Sequence, residues 1–72
     1  MDADEAAALV QFIKDHDTRY VPSANEDGSV LLKQTSDGQE TTVQSVAEYE
    51  AQFIKGRDPG PTITAAWEKW MR

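Results

Sequence analysis

The sequence contains no cysteine, so the fold can rely neither on disulfide bonds nor on a thiolate metal site. This absence fits a reducing compartment, where disulfides are rare. The longest unbroken apolar run near the start of the chain, Ala6–Val10, is far shorter than a membrane span or the apolar segment of a signal peptide. The first residues are also acidic, whereas targeting peptides are basic. We therefore expect a soluble, cytoplasmic protein.

A chain of 72 residues is long enough for one domain and too short for two. A domain of this size buries only a small share of its surface, and its stability is marginal. Small domains often depend on disulfides, a metal or a partner. Because the apolar pattern extends over the whole chain, we expect residues 1–72 to form one domain that folds as a monomer.

Basic residues are few: the chain has seven, against thirteen acidic residues, and its net charge is −6. Residues 1–27 carry a net charge of −5, whereas residues 28–72 carry −1. An acidic surface repels phosphate backbones and attracts basic protein surfaces. Some net charge is also common in small domains simply because it keeps them soluble. The charge favours a protein partner with a basic surface over direct binding of nucleic acid.

Histidine occurs once, and this scarcity limits catalysis. His16 stands between Asp15 and Asp17, and a histidine beside carboxylates can serve as a general base. At the end of a helix, however, the helix dipole alone favours a histidine cation. No second histidine is present to activate any of the four serines. The sequence therefore predicts no catalytic residues.

Motifs for metals and phosphates are also missing. Asn25–Gly28 has some of the residue types of a calcium-binding loop, but that loop needs Asp at its first position and Glu at its twelfth. This chain has Ser23 and Gln34 there. Residues 25–28 are instead typical of a turn. Because the four glycines are scattered, no glycine-rich phosphate loop precedes a helix. We predict neither a metal nor a cofactor.

The middle of the chain predicts a three-stranded antiparallel β-meander. Its strands are expected at Tyr20–Ala24, Val30–Gln34 and Glu40–Val43. Each segment between them contains Asp-Gly, and in Ser36–Gly38 this pair supplies the positive φ that a tight hairpin turn needs. Pro22 indicates that the first strand lies at an edge, because proline cannot donate a ladder hydrogen bond.

Helical periodicity appears on both sides of this meander. Apolar residues at helical spacing predict a helix over about residues 3–15. Ser45 begins a capping box, which places the start of a second helix at Val46, and Gly56 is expected to end it in the left-handed conformation. Thr62 or Thr64 is expected to cap the last helix. The order α-β-β-β-α-α predicts an α+β fold in which helices cover one face of the sheet.

The expected core combines the apolar faces of these elements. A domain this small has little interior for two whole indoles, so we expect one tryptophan to be buried and the other to be partly exposed. Trp70 lies near the centre of the apolar stripe and is the expected buried member, whereas Trp67 is expected to be partly exposed. The full predicted core is Leu9, Val10, Ile13, Val30, Leu32, Val43, Tyr49, Phe53, Trp67 and Trp70.

The last helix is the feature most informative about function. It is short and therefore unstable alone, so it must dock on something. It either completes the core of its own domain or enters the groove of a partner, where aromatic anchors carry much of the binding energy. Together with the acidic first helix, it predicts a protein-binding surface formed by Asp2, Asp4, Glu5, Asp15, Asp17, Trp67 and Met71.

These features predict a small acidic protein-binding module, not an enzyme, that inhibits or modulates a larger machine such as a transcription or other nucleic-acid-processing complex. Small acidic inhibitors of phages and mobile elements have this general composition, which is an analogy and not a family match. The alternative is a small DNA-binding regulator that uses its two C-terminal helices, where Lys55, Arg57, Lys69 and Arg72 gather. The acidic charge and the long loop between these helices disfavour it.

Overall fold

A computed structural model describes all 72 residues, and its elements follow the predicted order. The fold is α+β, with three helices and a three-stranded antiparallel sheet, as predicted. The elements are α1 (Ala3–His16), β1 (Tyr20–Ala24), β2 (Val30–Gln34), β3 (Glu40–Val43), α2 (Val46–Tyr49), its continuation as a π-helical segment (Glu50–Lys55), and α3 (Pro61–Trp70).

The sheet is a meander in which β2 lies between the two edge strands β1 and β3. Val30 and Leu32 of β2 are fully buried, whereas Lys33 is exposed, because successive side chains of a strand point to opposite faces. Pro22 lies on the edge strand β1, opposite Leu32, which confirms the predicted edge position. The helices therefore cover one face of the sheet and leave the other open.

Each turn of the meander depends on an aspartate followed by a glycine. Asp27 accepts hydrogen bonds from the hydroxyl and the backbone N–H of Ser29, at 2.5 and 2.9 Å, and these bonds lower its pKa. Asp37 accepts a bond of 3.0 Å from the backbone N–H two residues further on. Gly28 and Gly38 have φ of +88° and +76°, a backbone conformation that favours glycine. The turn residues therefore determine where the strands reverse.

One apolar core lies between the helices and the sheet. Eight of the ten predicted core residues are buried in it, while Val10 and Trp70 are half-buried and pack against it. The sequence prediction missed four further apolar residues of this core, namely Ala6, Phe12, Tyr20 and Ile54.

The burial of the two tryptophans is the reverse of the prediction. Trp67 is only 2 % exposed, whereas Trp70 is half-buried, so the prediction of Trp70 as the core member and Trp67 as the surface residue is wrong. The indole N–H of Trp67 donates a hydrogen bond of 2.6 Å to the Glu50 carboxylate. Because this bond satisfies its polar atom, the whole indole can be buried.

The second helix begins as predicted but ends differently. Ser45 caps α2 by accepting a bond of 3.0 Å from the backbone N–H of Glu48. Gly56 follows the π-helical segment with φ of −82°, so the predicted left-handed cap is wrong. A Cβ at Gly56 would lie 2.8 Å from the carbonyl oxygens of Ala51 and Gln52. Glycine is needed there for space and not for its backbone freedom.

The start of α3 also differs from the prediction. The helix begins at Pro61, with Gly60 at its N-cap in a conformation with φ of +95°, and no side chain caps it. The hydroxyl of Thr64 donates to the Gly60 carbonyl at 2.8 Å and caps no backbone N–H. Proline suits the first position of a helix because its missing N–H would have no partner there. The predicted cap by Thr62 or Thr64 is therefore wrong.

Candidate protein-binding groove

Asp17 lies inside the domain, and its burial contradicts its predicted place on an acidic binding surface. Its carboxylate accepts bonds of 2.8 Å from both Nε and Nη2 of Arg19, and one of 2.5 Å from the Tyr49 hydroxyl. Arg19 also donates to the carbonyls of Phe53 and Arg57, at 2.8 and 3.2 Å. This cluster, which we call the Asp17 cluster, ties the end of α1 to the π-helical segment and to the loop that follows it.

The Asp17 cluster makes stability sensitive to alkaline pH. Burial and, second, the hydrogen bond to Asp17 raise the pKa of Tyr49 well above the tyrosine value of about 10. The phenol therefore stays neutral in the folded protein at a pH where it ionises in the unfolded chain. Its contribution to stability is complete below about pH 10 and is lost as the pH rises above that value.

We expect the free energy of unfolding to fall as the pH rises from about 9 to about 11, and Tyr49→Phe to make that fall smaller. Urea denaturation at a series of pH values measures it. Tyr20→Phe is the control, because the Tyr20 hydroxyl accepts its bond from Arg57 and lies outside the Asp17 cluster. An equal fall in the wild type and Tyr49→Phe would contradict the assignment.

An open groove of about 440 Å³ lies between the three helices. All three contribute apolar side chains to it: Ala8 of α1, Val46 and Ala47 of α2, and Trp70 and Met71 at the end of α3. Two acidic residues complete its lining, Glu5 of α1 and Glu50, the first residue of the π-helical segment. The groove is thus lined mainly by apolar side chains, and both of the charged residues that line it are acidic.

The α3 side of the groove presents large apolar groups to solvent. Met71 is 51 % exposed. Trp70 is half-buried, and its ring centroid lies 5.1 Å from that of Trp67 and 5.4 Å from that of Phe12. The core therefore holds one part of the Trp70 indole while another part lines the groove. An aromatic side chain that is already fixed loses little conformational entropy on binding.

The charge next to the groove is negative. Glu5 is exposed, and its backbone N–H donates a bond of 2.8 Å to Asp2, which caps α1; Asp4 is exposed in the same turn. One oxygen of Glu50 accepts the bond from the Trp67 indole and the other lies 3.8 Å from the Lys55 ammonium, so the unpaired charge of the groove is that of Glu5. No basic residue lines the groove. An apolar segment with basic flanks therefore matches it in both respects.

The structure brings together part of the predicted binding surface. Glu5 and Met71 line the groove, and Asp2 and Asp4 lie in the turn of α1 that contains Glu5. Asp15 lies at the opposite end of α1, where it accepts a bond of 2.9 Å from the Gln11 amide. Trp67 and Asp17 are buried and do not reach the surface. The groove residues that the sequence analysis did not assign to binding are Ala8, Val46, Ala47, Glu50 and Trp70.

Two of the four basic residues considered for DNA binding are engaged within the chain. Arg57 donates a bond of 2.9 Å to the Tyr20 hydroxyl, and its guanidinium lies 4.7 Å from the centroid of the Phe53 ring. The Lys55 ammonium lies 3.8 Å from the Glu50 carboxylate. Lys55 is the one residue of these four that is paired with a carboxylate, and its side chain is 74 % exposed.

The structure shows no metal-binding geometry, and comparisons with known proteins find no relative. No group of three or more histidine, aspartate or glutamate side chains is arranged to hold a metal ion. None of the helices combines the length and the apolar character that crossing a membrane needs. Comparisons with known protein families, with characterised proteins and with solved structures give no match for this chain.

Proposed function

We propose that this chain is a protein-binding module whose groove between α1, α2 and α3 receives an apolar, basic segment of a partner protein. The observation that carries this proposal is the presence of Trp70, Met71, Glu5 and Glu50 in one open groove. Large apolar side chains in a groove supply binding energy, because they leave water when the partner docks. The exposed Glu5 carboxylate favours basic partners and speeds association with them, whereas Glu50 already bonds Trp67 and lies close to Lys55.

The form of the occupant follows from the groove's composition. An extended peptide binds best along a sheet edge, where its backbone groups find partners. This groove is lined by helical residues, and its apolar wall offers no side-chain donor or acceptor other than the Trp70 indole. A helix satisfies its own backbone hydrogen bonds, so it can enter such a groove without losing them. We therefore propose an amphipathic helix with lysine or arginine beside its apolar face.

Binding of this kind has a direct consequence for the partner. Basic surfaces of nucleic-acid enzymes bind phosphate backbones through lysine and arginine. A module that covers such a surface competes with the nucleic acid, so the proposed role of this chain is to inhibit or modulate a nucleic-acid-processing machine. Duplex DNA should then compete with the chain for the partner's basic segment.

The proposed binding can be tested with two designed helical peptides that share one leucine face and differ only in their flanking residues. We expect the leucine–lysine peptide to bind and the leucine–glutamate peptide to bind at least about tenfold more weakly. Met71→Asp should weaken the leucine–lysine peptide about tenfold or more, and Glu5→Lys about two- to fivefold. Titration calorimetry measures the affinities, and a change in tryptophan fluorescence that is lost in Trp70→Phe reports contact with the groove.

Matched controls come from the exposed face of the sheet. Val21 is 57 % exposed on β1, and Glu40 is exposed on β3, opposite Lys33. Val21→Asp and Glu40→Lys repeat the two changes away from the groove and should leave the affinity unchanged. Equal losses at Val21 and Met71 would contradict the groove. If the chain binds duplex DNA and no peptide, the DNA-binding alternative is favoured instead.

A further inference from the structure

A second cleft lies on another side of Trp70, and its charge is opposite to that of the groove. This cleft, about 340 Å³ in volume, is lined by His16 at the end of α1 and by Ala66, Lys69 and Trp70 of α3. Lys69 is exposed and makes no salt bridge within the chain. The cleft therefore presents an unpaired cation and an imidazole beside the same indole that lines the acidic groove.

The groove and the second cleft are neighbouring parts of the surface. Glu5 and Met71 line the groove, whereas His16 and Ala66 line the cleft. Glu5 and His16 are 11 positions apart on α1, which corresponds to about 16 Å along its axis. Trp70 is common to the two parts. A helix of about three turns spans this distance.

We infer that the partner helix is bipolar in charge, with basic residues at the end that lies over Glu5 and acidic residues at the end that lies over Lys69. This inference rests on the proposed function, because it describes the occupant of the same groove. A uniformly basic helix would bring a positive charge next to Lys69, and like charges at close range oppose binding. A bipolar helix gains at both ends, and the charge pattern fixes its orientation over Trp70.

The test compares two peptides of the same composition, so that net charge plays no part. Both carry the leucine face and equal numbers of lysine and glutamate. In the bipolar peptide the lysines occupy one half and the glutamates the other, whereas in the mixed peptide the two alternate. We expect the bipolar peptide to bind wild-type protein about three- to tenfold more tightly at physiological salt, since screening confines the comparison to nearby charges.

The variant Lys69→Glu tests whether the preference for the bipolar peptide arises at the second cleft. It should remove the preference for the bipolar peptide, bringing the ratio of the two dissociation constants close to one. Lys33→Glu is the matched control, because it makes the same charge change on the exposed sheet face. It should leave that ratio as in the wild type.

The outcomes separate the inference from the proposed function. Equal affinity for the bipolar and mixed peptides, or an equal effect of Lys33→Glu and Lys69→Glu on their ratio, would overturn the bipolar partner. In that case the proposed function still stands if the leucine–lysine peptide binds and Met71→Asp weakens it. If no peptide binds, the proposed function fails, and the inference fails with it.

Discussion

Replacing Trp67 with alanine should lower the free energy of unfolding by about 3–5 kcal/mol, the usual cost of emptying a buried aromatic site. The Trp67 ring packs against those of Phe12 and Tyr49, with centroids 5.1 and 5.2 Å away, so its removal leaves a cavity between α1, α2 and α3. It also removes the hydrogen bond to Glu50. In a domain of marginal stability, a loss of this size unfolds much of the population.

Trp70→Ala provides the matched comparison, because it removes the same side chain from the same helix. Since Trp70 is half-buried, we expect its removal to cost only about 1–2 kcal/mol and to weaken binding of the leucine–lysine peptide instead. Urea denaturation of the two variants and a peptide titration of Trp70→Ala measure both effects. Equal losses of stability would mean that α3 packs through both indoles alike, contrary to this structure.

The second large effect is expected at Asp17. Asp17→Ala should cost about 3 kcal/mol, because it removes a buried carboxylate and leaves the Arg19 guanidinium without its charge partner. Arg19 retains some contact with water, since 28 % of its side chain is exposed, which keeps the cost at the lower end of the range for broken buried ion pairs. Without the Asp17 carboxylate, the Arg19 guanidinium is also no longer held in position for its hydrogen bonds to the Phe53 and Arg57 carbonyls.

Asp15→Ala is the control for this prediction, because it removes an exposed carboxylate two residues earlier. An exposed substitution of this kind usually changes stability by no more than about 0.5 kcal/mol. Thermal and urea denaturation of the two variants, side by side, measure the contrast. Similar small losses at both positions would show that the Asp17 cluster contributes little to the fold.

The elements were predictable because their signals are local. The apolar residues Val30, Leu31 and Leu32 predict strand β2, and the spacing of Ser45 and Glu48 predicts the start of α2. Each of these signals lies within a few residues, and no distant contact opposes it. The loop from Gly56 to Gly60 was less predictable, since the conformation of Gly56 depends on the crowding of carbonyls at the end of a π-helical segment.

The burial of single residues was harder to predict because it depends on contacts between distant segments. Trp67 and Trp70 belong to one apolar stripe, and Trp67 is the buried one because it packs on Tyr49 and donates a hydrogen bond to Glu50. The sequence analysis placed Asp17 among the surface acids, because no residue near it in sequence indicates that the Tyr49 hydroxyl donates a hydrogen bond to it.

The groove was predictable only at Glu5 and Met71. Its other residues come from all three helices and the π-helical segment, and the position of α2 next to α1 is a tertiary feature with no local signal. Small residues such as Ala8 and Ala47 carry no sequence signal for binding, although they give the groove its depth.

The position of Pro22 has a consequence for how copies of this molecule behave at high concentration. Unpaired strand edges are templates on which other chains can add and aggregate. The β1 edge is interrupted by a residue that has no amide hydrogen, and the β3 edge is only four residues long and begins with Glu40. Neither edge therefore offers a long row of free donors and acceptors. The sheet is therefore protected against growth from both sides, and copies of this molecule should stay separate at concentrations where an open sheet edge would pair.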